Sequence, residues 1–385
     1  MKKVLSSYFI AICLISVFHT AIFAETKVKM VKTPDNGIQP QAIVDASGVV
    51  HLIYYKGDAS SGNIYYSKKE PDGRFSLPMQ VNSVSGSAVS MGTIRGAKFA
   101  LDNDGRTHVV WNGSRSTMEE GRHGPPMFYT RLNEDGSEFE EQRIISGQWP
   151  VDGGGAIGVD SSNRVFVFWH SGEEGAGEGN RSIFARISED NGNSFDREKI
   201  ISPEGMGVCG CCSMQATVDR DENVYVVYRT ARESEHRDIN LLLSENGGEN
   251  FQGLIMDEWK LQACPMSSMS FGETDQHMLV GWETKNQVRF IPLEKGVLSN
   301  LEILSPAQDG SKMKHPVFAS SPEGEVLLVW TEGTAWKKGG NVAWKQFDSN
   351  MKAIGRVHLP DVEVPVWSFL AAYYDQGENA FQILY

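Results

Sequence analysis

One arrangement of apolar and polar positions recurs along the chain. A short apolar strand leads into a turn rich in Asp, Gly or Asn, and a second, stronger strand then ends in aromatic residues. The copies run from Gln41 to Tyr55, Ala97 to Trp111, Ala156 to Trp169, Gln215 to Tyr228, Ser268 to Trp282, Pro316 to Trp330 and Phe369 to Tyr385. Their terminal aromatics return every 48 to 59 residues, a period that suits one four-stranded propeller blade per copy. Two further candidate strands lie between copies, such as Ser182 to Ile187 followed by Lys199 to Ile201. The pattern predicts an all-β propeller of four-stranded antiparallel blades. Seven blades match the seven copies, while six stay open because the last copy lacks its outer pair. The stretch from Lys27 to Thr33 can supply an outer strand and close the ring. A β-sandwich, the competing all-β fold, does not require such even spacing.

The turns between outer strands carry a second signature. Ser188-Glu-Asp-Asn-Gly-Asn-Ser-Phe195 sets a hydroxyl, a carboxylate, a glycine and an aromatic at offsets suited to a tight hairpin. Ser244 to Phe251 repeats it with Asn246 in place of the carboxylate. On these residues the chain resembles the Asp-box, or BNR-repeat, proteins of the sialidase-like superfamily. The resemblance spans nearly all of the chain after its leader and implies that these turns lie opposite the functional face. The series Cys209-Gly-Cys-Cys212, Tyr228-Arg229, Arg237-Asp238-Ile239, Trp259 and Cys264-Pro265 also resembles a secreted bacterial subgroup of that superfamily.

Composition narrows the setting. The chain has 385 residues, 39 glycines and a formal charge of -13, which disfavours nucleic acid and anionic membrane surfaces as partners. Residues 1 to 24 read as a signal peptide: Lys2 and Lys3 precede an apolar run from Tyr8 to Phe18, with Ala24 at the cut. No later stretch approaches the roughly 20 apolar residues of a transmembrane helix. Residues 25 to 385 are then a single propeller domain, secreted or periplasmic, and expected to be a monomer. Four of the five cysteines remain once Cys13 leaves with the leader.

In a propeller, residues just before each inner strand and just after each second strand gather at one mouth of the central channel. That placement nominates Arg95, Asp152, Cys209, Cys211, Cys212, Cys264, Lys314 and His315 before inner strands. His170, Arg229 and Glu283 follow second strands, and Arg237 and Asp238 follow closely on Arg229. Cys212 and Cys264 stand at matching positions ahead of consecutive blades, so they are expected to be neighbours. Two disulfides are one reading of the four cysteines in an exported protein. The other is a soft-metal or thiol-redox site, with Met206, Met214, Met266, Met269, Met313 and His315 on the same rim and copper or zinc as the ion.

The family resemblance implies a glycan or another small anionic ligand at this mouth, clamped by arginines, with a Tyr and Glu pair and an Asp for catalysis. Arg95, Arg229 and Arg237 are the candidate clamp, with His170, Asp238 and His315 beside it, and Asp152 and Glu283 are the candidate proton-transfer groups. The family's early Arg-Ile-Pro signature does not occur, and no tyrosine aligns with the nucleophile. Glycoside hydrolysis, glycan binding without catalysis, an interaction scaffold, and soft-metal or redox binding are therefore all carried forward. Trp111, Trp169, Trp282 and Trp330 recur at one repeat position and read as core filling. Trp149 and Trp336 fall outside that register and read as stacking surfaces.

Overall fold

The computed structural model describes residues 25–71, 73–92, 95–299, 301–306 and 312–385. The proposed signal peptide lies outside them. Seven sheets form seven blades around one axis. Blade one contains Ile38–Val44, Val50–Asp58, Ser61–Lys69 and Met79–Gln80; blade two contains Lys98–Leu101, Thr107–Asn112, Met127–Arg131 and Arg143–Ile144. Blade three is Val151–Val159, Val165–Ser171, Ser182–Ser188 and Lys199–Ile200, and blade four is Gln215–Val218, Val224–Arg229, Ile239–Ser244 and Gln252–Asp257. Blade five has three strands, Ser270–Glu273, His277–Thr284 and Gln287–Glu294, with a bridge from Phe290 to Leu304 where a fourth would run. Blade six is Met313–Ser320, Val326–Glu332, Gly340–Phe347 and Ala353–His358.

Blade seven joins the two ends of the chain. Ala371–Asp375 pairs with Ala380–Leu384, and Val28–Val31 adds to the latter in parallel, setting Val28 opposite Phe381 and Val31 opposite Leu384. Backbone bonds from Thr33 N to Tyr385 O (2.9 Å) and from Tyr385 N to Val31 O (3.1 Å) extend the zip. The strand expected at Lys27 to Thr33 does close the ring.

The middle strands are almost continuously apolar because both of their faces are buried. Along Val50–Asp58, Val50, Leu52 and Tyr54 face blade seven, whereas Ile53 and Tyr55 face blade two. The same alternation repeats around the ring and leaves one apolar layer between each pair of neighbouring blades. Trp111, Trp169, Trp282 and Trp330 sit in these layers at 0 to 1 % exposure, so they are core residues.

At the end opposite the cysteines, the turn after Ser182–Ser188 is held by its own side chains. Ser188 Oγ donates to Asp190 Oδ1 (2.8 Å), Gly192 N donates to Ser188 Oγ (2.8 Å) and Ser194 N donates to Asp190 Oδ1 (2.8 Å). Gly192 takes φ +79°, and Phe195 meets Tyr129 edge-on with centroids 5.0 Å apart. No helix among the described residues is long and apolar enough to cross a membrane.

Candidate functional site

The rim is shaped by left-handed residues where inner strands begin. Gln39, Met266, His315 and Trp367 have φ between 50° and 64°, in blades one, five, six and seven. A non-glycine residue pays conformational energy there, and such positions concentrate at sites that need a side chain re-aimed. Three inner strands also shift register near this end, at Ile38/Gln41, Val151/Gly155 and Lys314/Val317.

Blade four begins with the loop that carries three of the cysteines. Cys209 N donates to Arg229 O (3.0 Å), and Cys212 N reaches back to Cys209 O (3.4 Å), coiling the segment so that its thiols converge. Cys209 Sγ lies 3.3 Å from Cys211 Sγ and 3.5 Å from Cys212 Sγ. Cys209 and Cys212 are buried and Cys211 is half-buried. The sulfur of exposed Cys264 and a carboxylate oxygen of Glu178 each lie within 4.8 Å of the Cys211 sulfur and of each other. Register matching between blades therefore does bring Cys264 to the cluster, with Cys211 as its neighbour. All four residues are free thiols in this structure.

Burial opposes ionisation of Cys212, but hydrogen bonds from Cys209 and Cys211 and the charge of Arg229 hold its thiol below the ordinary range. Cys211 is pushed far up by its hydrogen bonds to Cys209 and Cys212 and by burial.

The three candidate clamp arginines do not share a ligand position; each is already bonded elsewhere. Arg229 is 1 % exposed. It donates to Arg237 O (2.6 Å), Ser267 Oγ (3.2 Å) and Glu283 O, and its guanidinium lies 5.1 Å from the Trp259 ring centre. Arg237 pairs with Glu178 at 2.5 Å. Arg95 pairs with Asp152 at 2.8 Å, and Arg181 binds the other oxygen of Asp152 at 2.9 Å. Against its burial, the Arg95 hydrogen bond and the charges of Arg95 and Arg181 hold Asp152 below its usual pKa, so it is ionised. Asp238 is fully buried; its Oδ1 accepts from Trp259 N (2.9 Å) and its Oδ2 lies 3.5 Å from Arg232.

Several buried polar atoms close to this cluster have no hydrogen-bond partner: both ring nitrogens of His170, Glu283 Oε2, Ser213 Oγ and Arg229 Nε. Such orphans are uncommon and are usually met by an ordered water, an ion or a ligand. Burial lowers the His170 pKa to about 4, so the ring is neutral, and burial raises that of Glu283. Gly153 leaves room for His170: a Cβ there would overlap Nε2 and lie 2.9 Å from Cys212 O. His315 bonds Ser268 Oγ through Nδ1 (2.8 Å) and faces the axis.

Three of the methionines expected on the rim are buried, Met269 in the same apolar layer as Cys209 and Cys212. Met214, Met269 and Met313 are at most 1 % exposed and sit in three different apolar layers between blades, because their strand positions face a neighbouring blade. Trp336 is 49 % exposed and meets Trp367 edge-on at 4.6 Å, beside the recess formed by Met266, Lys314, His315 and Lys338. Sequence reasoning missed Glu178 and Arg181. Both follow the second strand of blade three, where a glycine-rich insertion was the available signal.

No protein-family model matches the chain, and no curated protein matches it. Solved structures do share the fold. A protein of unknown function from Dyadobacter fermentans aligns at TM-score 0.52 and 12 % identity, over 86 % of this chain and 96 % of its own. The NanB sialidase of Streptococcus pneumoniae aligns at TM-score 0.52 and 12 % identity, over 90 % and 71 %. The sialidase of Trypanosoma rangeli aligns at TM-score 0.51 and 11 % identity, over 91 % and 58 %. The likeness is one of fold: this chain shares the propeller architecture of these structures.

Proposed function

We propose that this propeller is a thiolate metal-binding protein that holds one soft cation, copper(I) or zinc, at its rim. The observation that carries the reading is the convergence of Cys209, Cys211 and Cys212, whose sulfurs all lie within 4.8 Å of one another. Sulfurs bonded at about 2.3 Å in a tetrahedral shell sit about 3.8 Å apart. The present separations of 3.3 and 3.5 Å reach that spacing with movements of a few tenths of an ångström. Thiolates select soft or borderline ions, and the nearby charges of Arg229 and Arg237 offset the excess negative charge of a three-sulfur site.

Cys211 belongs to both sulfur groups, the buried one and the one with Glu178 and Cys264. Cys211 would thus be the residue common to an outer position, held by Cys264 and Glu178, and an inner one, held by Cys209 and Cys212. The apolar run at the N terminus supports an exported protein, where such a site would scavenge or deliver the ion. Asp152 and Glu283 serve this reading as charge-setting neighbours; in a glycan-directed reading they would be the proton-transfer pair, with Trp336 as the platform.

The test is elemental analysis with a free-thiol count on the exported protein, repeated on Cys209→Ser and Cys212→Ser. One copper or zinc per chain is expected, lost in both variants. Two disulfides would overturn the proposal. So would four free thiols that bind neither ion while the thiol-blocked protein binds an acidic oligosaccharide, and that second outcome would return the function to glycans.

A further inference from the structure

The axial channel is a separate place with chemistry of its own. It has a volume of about 390 Å³ and is lined by the inner strands of all seven blades. Each of those strands is the edge of its sheet, so unpaired backbone N–H groups face the axis. The side chains lining it include Lys98, His315, Gln215, Thr217, Ser268 and Ser270, and none is a carboxylate. That is notable in a chain of net charge -13.

Lys98 is 7 % exposed, yet among the described residues no carboxylate pairs with its ammonium group. Its one close partner is the Phe369 ring, 5.5 Å from Nζ. Buried charges in proteins are normally paired. The other buried lysines among the described residues all meet an acceptor: Lys69 pairs with Asp375, Lys314 donates to Pro265 O and Met266 O, and Lys345 donates to Gly355 O. Burial lowers the pKa of Lys98 to about 8, so at pH 7 it still carries its proton. His315 adds a second polar group on the axis, and Ser270 Oγ is a buried orphan on the same wall.

We infer that the channel binds a small oxyanion, a carboxylate or a phosphate-sized ion, with Lys98 as its counter-charge and His315 Nε2, Ser270 and edge N–H groups as further donors. Its volume suits one such ion and several waters, being equal to roughly a dozen waters' share of the liquid. His315 also lines the small recess below Trp336 and Trp367. The site is distinct from the cysteine cluster, and its occupancy does not depend on a metal.

The experiment is calorimetric titration of the protein, as purified, with inorganic phosphate and separately with acetate, on wild type and Lys98→Met. Met keeps the length and apolar stem and removes only the charge, so the variant is expected to fold at least as well. At least one anion should bind wild type, and roughly tenfold or more weaker to Lys98→Met. Phosphate alone identifies a tetrahedral oxyanion, and acetate alone a carboxylate. Equal binding to both proteins, or no binding of either ion to wild type, overturns the inference. Thermal midpoints under the same anions give a second readout, with a rise expected in wild type only.

Discussion

Arg229 separates a structural arginine from a ligand clamp, and replacing it with methionine measures the difference. The side chain is 1 % exposed and its charge is spent on three acceptors, the carbonyls of Arg237 and Glu283 and the hydroxyl of Ser267. Methionine fills much of the volume but donates nothing, so two buried carbonyls lose a charged donor. At about 1.5 to 2 kcal/mol for each carbonyl, with about 1 kcal/mol for contact with Trp259, the loss is roughly 4 to 5 kcal/mol. Methionine burial returns about 1 kcal/mol of that, leaving a net cost near 3 to 4 kcal/mol. Arg229→Lys keeps the charge but not the planar fork and should lose about half as much. Urea unfolding under reducing conditions reads this as a fall in midpoint at unchanged slope, provided the transition is single. Arg95, whose side chain is 27 % exposed in its pair with Asp152, supplies the control at under about 1 kcal/mol. If Arg229→Met costs less than about 1 kcal/mol and instead abolishes binding of an anion at the rim, the reasoning fails and the arginine clamp is restored.

Two further outcomes concern the far end of the molecule. Asp102, whose side chain has no solvent exposure, is opposed by burial. The His108 ring, whose Nε2 stands 3.7 Å away, and hydrogen bonds from Asn191 Nδ2 and the backbone N–H of Arg106 nevertheless hold its pKa down to about 2. A depressed folded-state pKa gives stability that is present above the unfolded value of 3.8 and is lost as pH falls through 2. The stability gap between wild type and Asp102→Asn should therefore shrink by roughly 2 kcal/mol across that window, and a gap independent of pH would refute the assignment. Gly192→Ala forces a Cβ into φ +79° and onto the Tyr129 hydroxyl. It should cost about 2 to 4 kcal/mol while leaving the metal content unchanged, because the turn lies at the opposite end from the cysteines; an undiminished unfolding midpoint would contradict it.

The repeat was readable because burial on both faces leaves apolar runs such as residues 165–169 and 224–228, and a sandwich strand with one wet face would alternate. Register alone placed Cys264 beside the cysteine loop, since similar offsets from consecutive inner strands mean adjacent places on a ring, but it named Cys212 as the neighbour where the structure has Cys211. The state of each arginine was not readable. The partners of Arg237 and Asp152 come from Glu178 and Arg181, in an insertion where Gly-Glu-Glu-Gly-Ala-Gly-Glu-Gly carries no periodicity to locate any one side chain. Lys98 was equally hidden, because a lysine at the start of a strand reads as a solvated end until seven edges enclose it. The left-handed residues Gln39, Met266, His315 and Trp367 lack the glycine that would have marked them.

The parallel pairing of Val28–Val31 with Ala380–Leu384 ties completion of the molecule to the order of its synthesis. The opening strand leaves the ribosome with its partner still uncoded into peptide, and it waits while six blades are laid down. The last turn of the toroid can lock only when Leu384 arrives, so early termination leaves a gap flanked by two bare edges, an invitation to pair with another molecule. The thiols of blade four can meet before that moment, because the segments that bring them together lie well inside the chain. If the proposed metal site is real, an ion bound there early would hold blades three to five in register while the ends find each other.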